Sequence, residues 1–112
     1  MVIRIWRGWT TKEQADTYEQ LLREEIVPGI EARGVPGFLG ITLARRPLGA
    51  ETEFVTLMRF ASLDAVRSFA GDEYERAYVP DAARRVLARF EERSSHYEIV
   101  EDRPTPSRGS TG

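Results

Sequence analysis

No cysteine occurs among the 112 residues, and His96 is the only histidine. The first absence excludes disulfides, thiolate nucleophiles and cysteine-based zinc sites. The second excludes any two-histidine metal site within one chain. Asparagine is missing altogether. No apolar run approaches the roughly 18 residues that a membrane span requires. The opening residues MVIRIWRGWTT have no long apolar core and no small-residue cleavage site, so no signal peptide is expected. Positive charge is not concentrated either: 16 basic residues lie among 18 acidic ones, for a net charge of −2. Without a basic stripe, nothing grips a phosphate backbone. The expectation left by these absences is a cytoplasmic protein with neither nucleic acid nor membrane among its partners.

What is present suits one soluble domain, with 41% hydrophobic and 30% charged residues. Val2 to Trp9 (VIRIWRGW) is rich in β-branched and aromatic residues and reads as a strand. Thr10 or Thr11 is placed to cap a helix from Lys12 to about Arg33, in which Ala15, Tyr18, Leu22, Ile26 and Ile30 form one apolar stripe. Pro28 is expected to kink or end that helix. GVPG at 34–37 is a turn. Phe38 to Arg46 reads as a strand, PLGAET at 47–52 as a hairpin loop, and Glu53 to Phe60 as the returning strand. Ser62 caps a short helix with Leu63, Val66, Phe69 and Ala70 inward, which GDEY at 71–74 breaks. Pro80 opens a third helix, expected to reach about Arg93 with Ala83, Val86, Leu87 and Phe90 inward. SHYEIVE at 95–101 is the last strand. The domain therefore spans residues 1–102. Arg103 to Gly112 has no large apolar residue and is expected to be a disordered tail.

The order βαββααβ, with two right-handed crossovers around a central hairpin, predicts an α+β, ferredoxin-like protomer. Its antiparallel four-stranded sheet carries helices on one face. Apolar strand residues remain on the other face, and pairing two sheets covers them, so a homodimer is expected.

The stretches IRIWRGWTTKEQADTYEQLL, GFLGITLARR, EFVTLMRFASLDAVRSFAG and RFEERSSHYEIV together resemble the antibiotic biosynthesis monooxygenase family of dimeric α/β-barrel proteins. The resemblance spans about residues 1–101. It implies a protomer that dimerises through its sheet and keeps a pocket between sheet and helices. Some relatives oxidise anthrone-type phenols to quinones with O2 and neither metal nor flavin, and others bind and degrade haem. Haem-degrading relatives carry an asparagine on the first strand, a tryptophan on the short helix and a histidine further on. The matching positions here are Trp6, Phe69 and Tyr78, so none of the three is kept, and no haem, metal or other cofactor is expected. The quinone-forming relatives place asparagine, tryptophan, tyrosine and arginine around the pocket. The counterparts here are Trp6, Tyr78, Arg4, Arg45 and Arg59.

His96 titrates in the range that suits base chemistry near neutrality. If it faces the helices, it is the candidate for taking a phenolic proton. If not, it is a cross-strand or dimer partner. Arg59 and Tyr78 join it as candidate catalytic residues, and Arg4, Trp6, Phe60, Phe69 and Tyr74 as candidate substrate-binding residues. Trp6 and Trp9 lie three apart on a strand and so face opposite ways. Tyr74 and Tyr78, four apart within GDEYERAYVP, belong either to a mobile flap hinged at Gly71 or to a staple between two helices. The first reading is a cofactor-free monooxygenase acting on an aromatic or polyketide-like small molecule. A non-catalytic binding or accessory dimer, and a cyclase or isomerase of the same superfold, are the alternatives.

Overall fold

The computed structural model describes residues 1–106. Residues 103–106 are exposed and lie outside any helix or strand, and the rest of the expected tail, 107–112, falls outside the described residues.

Strand β1 (Val2–Thr11) organises the domain. Val2, Arg4, Trp6, Gly8 and Thr10 are buried on the helix side, while Ile3, Ile5, Arg7 and Trp9 are half-buried on the other side. This is the period of two that a pleated strand imposes. Strands β2 (Phe38–Leu48) and β3 (Glu51–Phe60) form a hairpin in which Leu48 pairs with Glu51 across Gly49 and Ala50 alone. The expected six-residue loop is thus shortened to a tight turn. Gly49 supplies the positive φ, 64°, that such a turn needs. β3 runs antiparallel to β1 from Val2–Phe60 to Thr11–Glu51.

Thr11 caps the helical run, its hydroxyl accepting from the Gln14 N–H at 3.3 Å. The run comprises a 3-10 turn (Lys12–Gln14), α1 (Ala15–Leu21), a π turn (Leu22–Ile26) and α2 (Val27–Ala32). Pro28 does not end it. The π turn just before the proline, closed by the Val27 N–H on the Leu22 carbonyl, takes up the irregularity. Ser62 caps α3 (Leu63–Ala70), accepting from the Ala65 N–H at 3.2 Å.

The third helix is much shorter than its spacing suggests. α4 (Asp81–Val86) stops at Leu87, which turns extended. The outer edge of β1 decides this, because its polar backbone groups need partners. Ala88 N–H bonds the Trp9 carbonyl at 2.8 Å and Glu91 N–H the Arg7 carbonyl at 2.9 Å. Strand β4 (Arg89–Phe90) therefore lies where more helix was expected, and β5 (Ser95–Glu98) follows it along the same edge. The sheet order is β2-β3-β1, with β4 and β5 sharing the last position, and every pairing is antiparallel. The α+β, ferredoxin-like architecture is as expected, with its fourth strand in two pieces.

Two cores sit between sheet and helices. Val2, Ile30, Met58, Phe60, Val66 and Phe69 make one. Trp6, Tyr18, Leu22, Phe54, Val79 and Ala83 make the other. Phe60 is wholly buried in the first, its ring 5.6 Å from Phe38 and 5.7 Å from Phe69. A Phe60→Ala change is expected to cost about 3–5 kcal/mol of unfolding free energy, the usual penalty for emptying such a site. Denaturant titration checks this; a loss below about 1 kcal/mol would show that the cluster collapses to fill the gap.

Candidate functional site

Between the two cores, on the helix side of β1, lies a cavity. Arg4 and Trp6 of β1, Thr56 and Met58 of β3 and Phe69 of α3 form one wall. Tyr18, Leu22, Ile26 and Ile30 of the helical run face them, and Tyr78, Val79, Pro80 and Ser94 complete the ring. Its water-accessible volume is about 40 Å³, and all the empty space within it, mouth included, about 500 Å³. Pockets for drug-sized ligands measure roughly 300–1,000 Å³, so a fused aromatic enters only if the wall moves. Tyr78, half exposed at 50%, is the most exposed residue of the lining.

Trp6 is held by its indole N–H, which donates to the Glu91 carbonyl at 2.7 Å. Its ring lies where a Cβ on Gly8 would come within 2.6 Å of it, so only glycine at position 8 leaves the indole its place. Phe69 meets Tyr78 edge-on at 5.8 Å and has the Arg4 guanidinium 5.5 Å from its ring centre.

Arg4 is the unusual member. It is 3% exposed, and no carboxylate pairs with it among the described residues. Its guanidinium donates instead to the carbonyls of Tyr74 and Arg76, the latter at 3.0 Å, and to Nε2 of His96 at 2.9 Å. Burial pulls its pKa down to about 10, so it remains a cation at neutral pH. A buried guanidinium has five N–H groups, and three are used. Burial also pushes the Tyr18 phenol up, keeping it protonated.

His96 points to the helix side, directly across the strand pair from Arg4. It does not line the cavity. An arginine only donates, so Nε2 accepts and the ring proton resides on Nδ1. The imidazole packs edge-on against Tyr74 at 5.2 Å. The other expected site residues divide. Arg4, Trp6, Phe69 and Tyr78 come together on the cavity. Tyr74 reaches it only through its carbonyl, and Phe60 lies in the core behind Phe69. Arg59 is on the opposite face, where it pairs in register with Ile3 and donates to Thr42 at 3.4 Å. Strand alternation from buried Met58 and Phe60 puts it there. Arg45 is drawn away too, into ion pairs at 3.0 Å with Asp16 and Glu19. The segment 71–80 is fastened rather than free: Ala77 N–H bonds the Glu92 carbonyl at 2.8 Å and Ser94 N–H the Glu75 carbonyl at 2.7 Å. Ser94 itself was not singled out from the sequence, since a serine beside a strand carries no signal.

The family model described as antibiotic biosynthesis monooxygenase matches residues 1–81. The chain belongs to the antibiotic biosynthesis monooxygenase family. No curated protein matches it. Among solved structures, a mutant of MhuD with two manganese protoporphyrin IX molecules bound per active site is similar, at 19% identity and a TM-score of 0.61, over 94% of this chain and 100% of that one. A mutant of SnoaB, a cofactor-independent oxygenase from Streptomyces nogalater, aligns at 18% identity and a TM-score of 0.60, over 93% and 98% of the two chains. A monooxygenase from the gene ActVA-Orf6 of Streptomyces coelicolor, in complex with Nanaomycin D, aligns at 18% and 0.57, over 95% and 92%. At these identities the likeness shows the shared fold.

A porphyrin, wider than a fused tricyclic aromatic, does not fit a cavity with about 40 Å³ of water-accessible space. The donors on its wall are the Tyr18 and Tyr78 phenols and the Thr56 and Ser94 hydroxyls, with no imidazole or thiolate among them.

Burial lowers the proton affinity of His96, the Arg4 charge lowers it further, and Glu75 opposes both. The folded protein therefore binds this proton more weakly than the unfolded chain, whose histidine titrates near 6.5. The resulting stability is complete above about pH 6.5 and is lost as the pH falls through the lower folded-state value. Thermal melts of wild type are expected to show this loss, and His96→Gln to lack it. At about pH 7.5, His96→Ala should cost roughly 1–3 kcal/mol by leaving an Arg4 N–H without its acceptor. An unchanged pH profile in His96→Gln would contradict this placement.

Proposed function

We propose that the chain is a cofactor-independent monooxygenase acting on a planar phenolic or polyketide-like molecule held between sheet and helices. The observation that carries this reading is the buried Arg4 cation on a largely apolar wall, with N–H groups to spare and no carboxylate paired with it among the described residues. A buried charge without a counter-ion is costly, and an anionic ligand relieves that cost. A phenol in this place loses its proton readily because the anion, not the phenol, is what Arg4 stabilises. Such an anion is electron-rich enough to give electrons to O2 itself. For an anthrone-type methylene, one methylene and one dioxygen give one ketone carbonyl and one water. Two C–H bonds break, a C=O bond forms, and dioxygen is reduced by four electrons across the ketone and water. Trp6 and Phe69 hold the ring plane. Tyr78 covers the mouth and keeps bulk water from the anion. His96 holds Arg4 in position.

The protein acts as a homodimer in this reading. Ile3, Ile5, Trp9, Val55 and Leu57 lie together on the sheet face that no helix covers. A second copy, applied face to face, buries them. A Leu57→Lys change is expected to give a folded monomer in sedimentation, whereas wild type sediments as a dimer. Wild type sedimenting as a stable monomer would contradict the arrangement.

Oxygen uptake with 1,8-dihydroxyanthrone, corrected for its uncatalysed oxidation, tests the activity. One O2 consumed per quinone formed is the expected result. Arg4→Gln, checked for folding by circular dichroism, should lower the rate by about 10²-fold or more, the scale for losing a donor to a developing anion. Tight binding with no oxygen uptake would favour an accessory, non-catalytic dimer instead.

A further inference from the structure

The cavity has a second polar feature that the oxidation chemistry does not use. Ser94 is 6% exposed, and its hydroxyl is buried with no hydrogen-bond partner among the described residues. Buried hydroxyls are nearly always satisfied, so an orphan on a cavity wall points to something that enters the cavity. The residue is not loosely placed, since its backbone N–H is tied to the Glu75 carbonyl at 2.7 Å. The carbonyls on either side of Glu75, those of Tyr74 and Arg76, are the two that hold the Arg4 guanidinium. Ser94 and Arg4 thus bond to consecutive residues of one segment, and both line the cavity. Away from them the wall is mostly hydrocarbon, with Leu22, Ile26, Ile30, Ile41 and Met58 beside the Tyr18 phenol and the Thr56 hydroxyl.

We propose that Ser94 is a specificity-determining residue that binds a second ligand oxygen, next to the one that Arg4 holds. The ligand class follows from that layout. It is a fused-ring aromatic with two oxygens on neighbouring or peri positions along one edge, and a bare hydrocarbon edge opposite. The oxygenated edge meets Arg4 and Ser94, and the bare edge lies against the helical run. A ligand with a single oxygen satisfies Arg4 and leaves Ser94 as it was. The inference rests on the cavity being the site of the proposed reaction, but it concerns recognition and needs no turnover.

Equilibrium binding of 8-hydroxy-1-tetralone and of 1-tetralone tests it. Both are bicyclic ketones, and only the first carries the peri hydroxyl. Wild type is expected to prefer the hydroxylated compound by roughly 5- to 100-fold, the range for one hydrogen bond to a group otherwise buried without a partner. Ser94→Ala should abolish that preference while leaving 1-tetralone affinity unchanged, and Ser94→Thr, which keeps the hydroxyl, should retain part of it. The ligand-free melting temperature of Ser94→Ala should stay level or rise, because an orphan hydroxyl is removed. If both compounds bind and Ser94→Ala keeps the preference, Ser94 is not the discriminating group and the inference fails alone. If Ser94→Ala melts many degrees lower without ligand, the hydroxyl has an internal structural partner and the inference also fails. If neither compound binds wild type, the cavity is not an aromatic site, and the proposed function falls with it.

Discussion

A guanidinium buried on the inner face of a central strand governs this domain. Arg4 sits between Val2 of one core and Trp6 of the other, at the place where apolar packing would otherwise be continuous. A charge at that position must be hydrogen-bonded, and the chain supplies the Tyr74 and Arg76 carbonyls and the His96 ring to do it. Those three bonds fasten the segment after α3 and the His96 side chain to β1. None of the three partners is an anion. Among the described residues the cation therefore has no counter-ion on the wall of the cavity, which lies between the two cores.

β1 presents two different surfaces because its side chains alternate. One side carries Arg4 and Trp6 into the cavity. The other carries Ile3, Ile5 and Trp9 onto the face without helices, beside a polar patch in which Glu53 lies 2.6 Å from Arg46 and 3.6 Å from Arg7. A substitution on this strand therefore affects one surface and spares the other. The distinction separates the two arginines that looked alike in the sequence: Arg4 aligns with Met58 on the inner face, and Arg59 with Ile3 on the outer one. No local pattern around Arg59 announces its direction. Only the register with β1 does.

Elements with a strong period were legible from residues alone. β1, the helical run, the central hairpin and α3 follow their apolar spacing and their caps at Thr11 and Ser62. α4 was not, because the apolar positions 83, 86, 87 and 90 fit a helix while the unpaired edge of β1 claimed residues 88–91 for ladder hydrogen bonds. That competition is between distant parts of the chain and leaves no local mark. For the site, chemistry-bearing side chains at Arg4, Trp6, Phe69 and Tyr78 were identifiable by type, and they do converge. His96 drew attention as the only histidine, yet its nitrogen is engaged by Arg4 at 2.9 Å and its ring lies off the cavity. Ser94 was invisible, since what distinguishes it is an absent partner rather than a residue type.

The proposed chemistry requires a cavity that stabilises an anion rather than an apolar hole. The visible absorbance of bound 4-nitrophenol reports this directly, because the phenol and its anion differ in colour. Titrated against pH in the presence of excess protein, the bound phenol should ionise at a lower pH than the free compound, as expected beside an unpaired buried guanidinium. A bound phenol that ionises at a higher pH than the free one would mean that desolvation outweighs Arg4. That outcome would contradict the proposed role of Arg4 at its base.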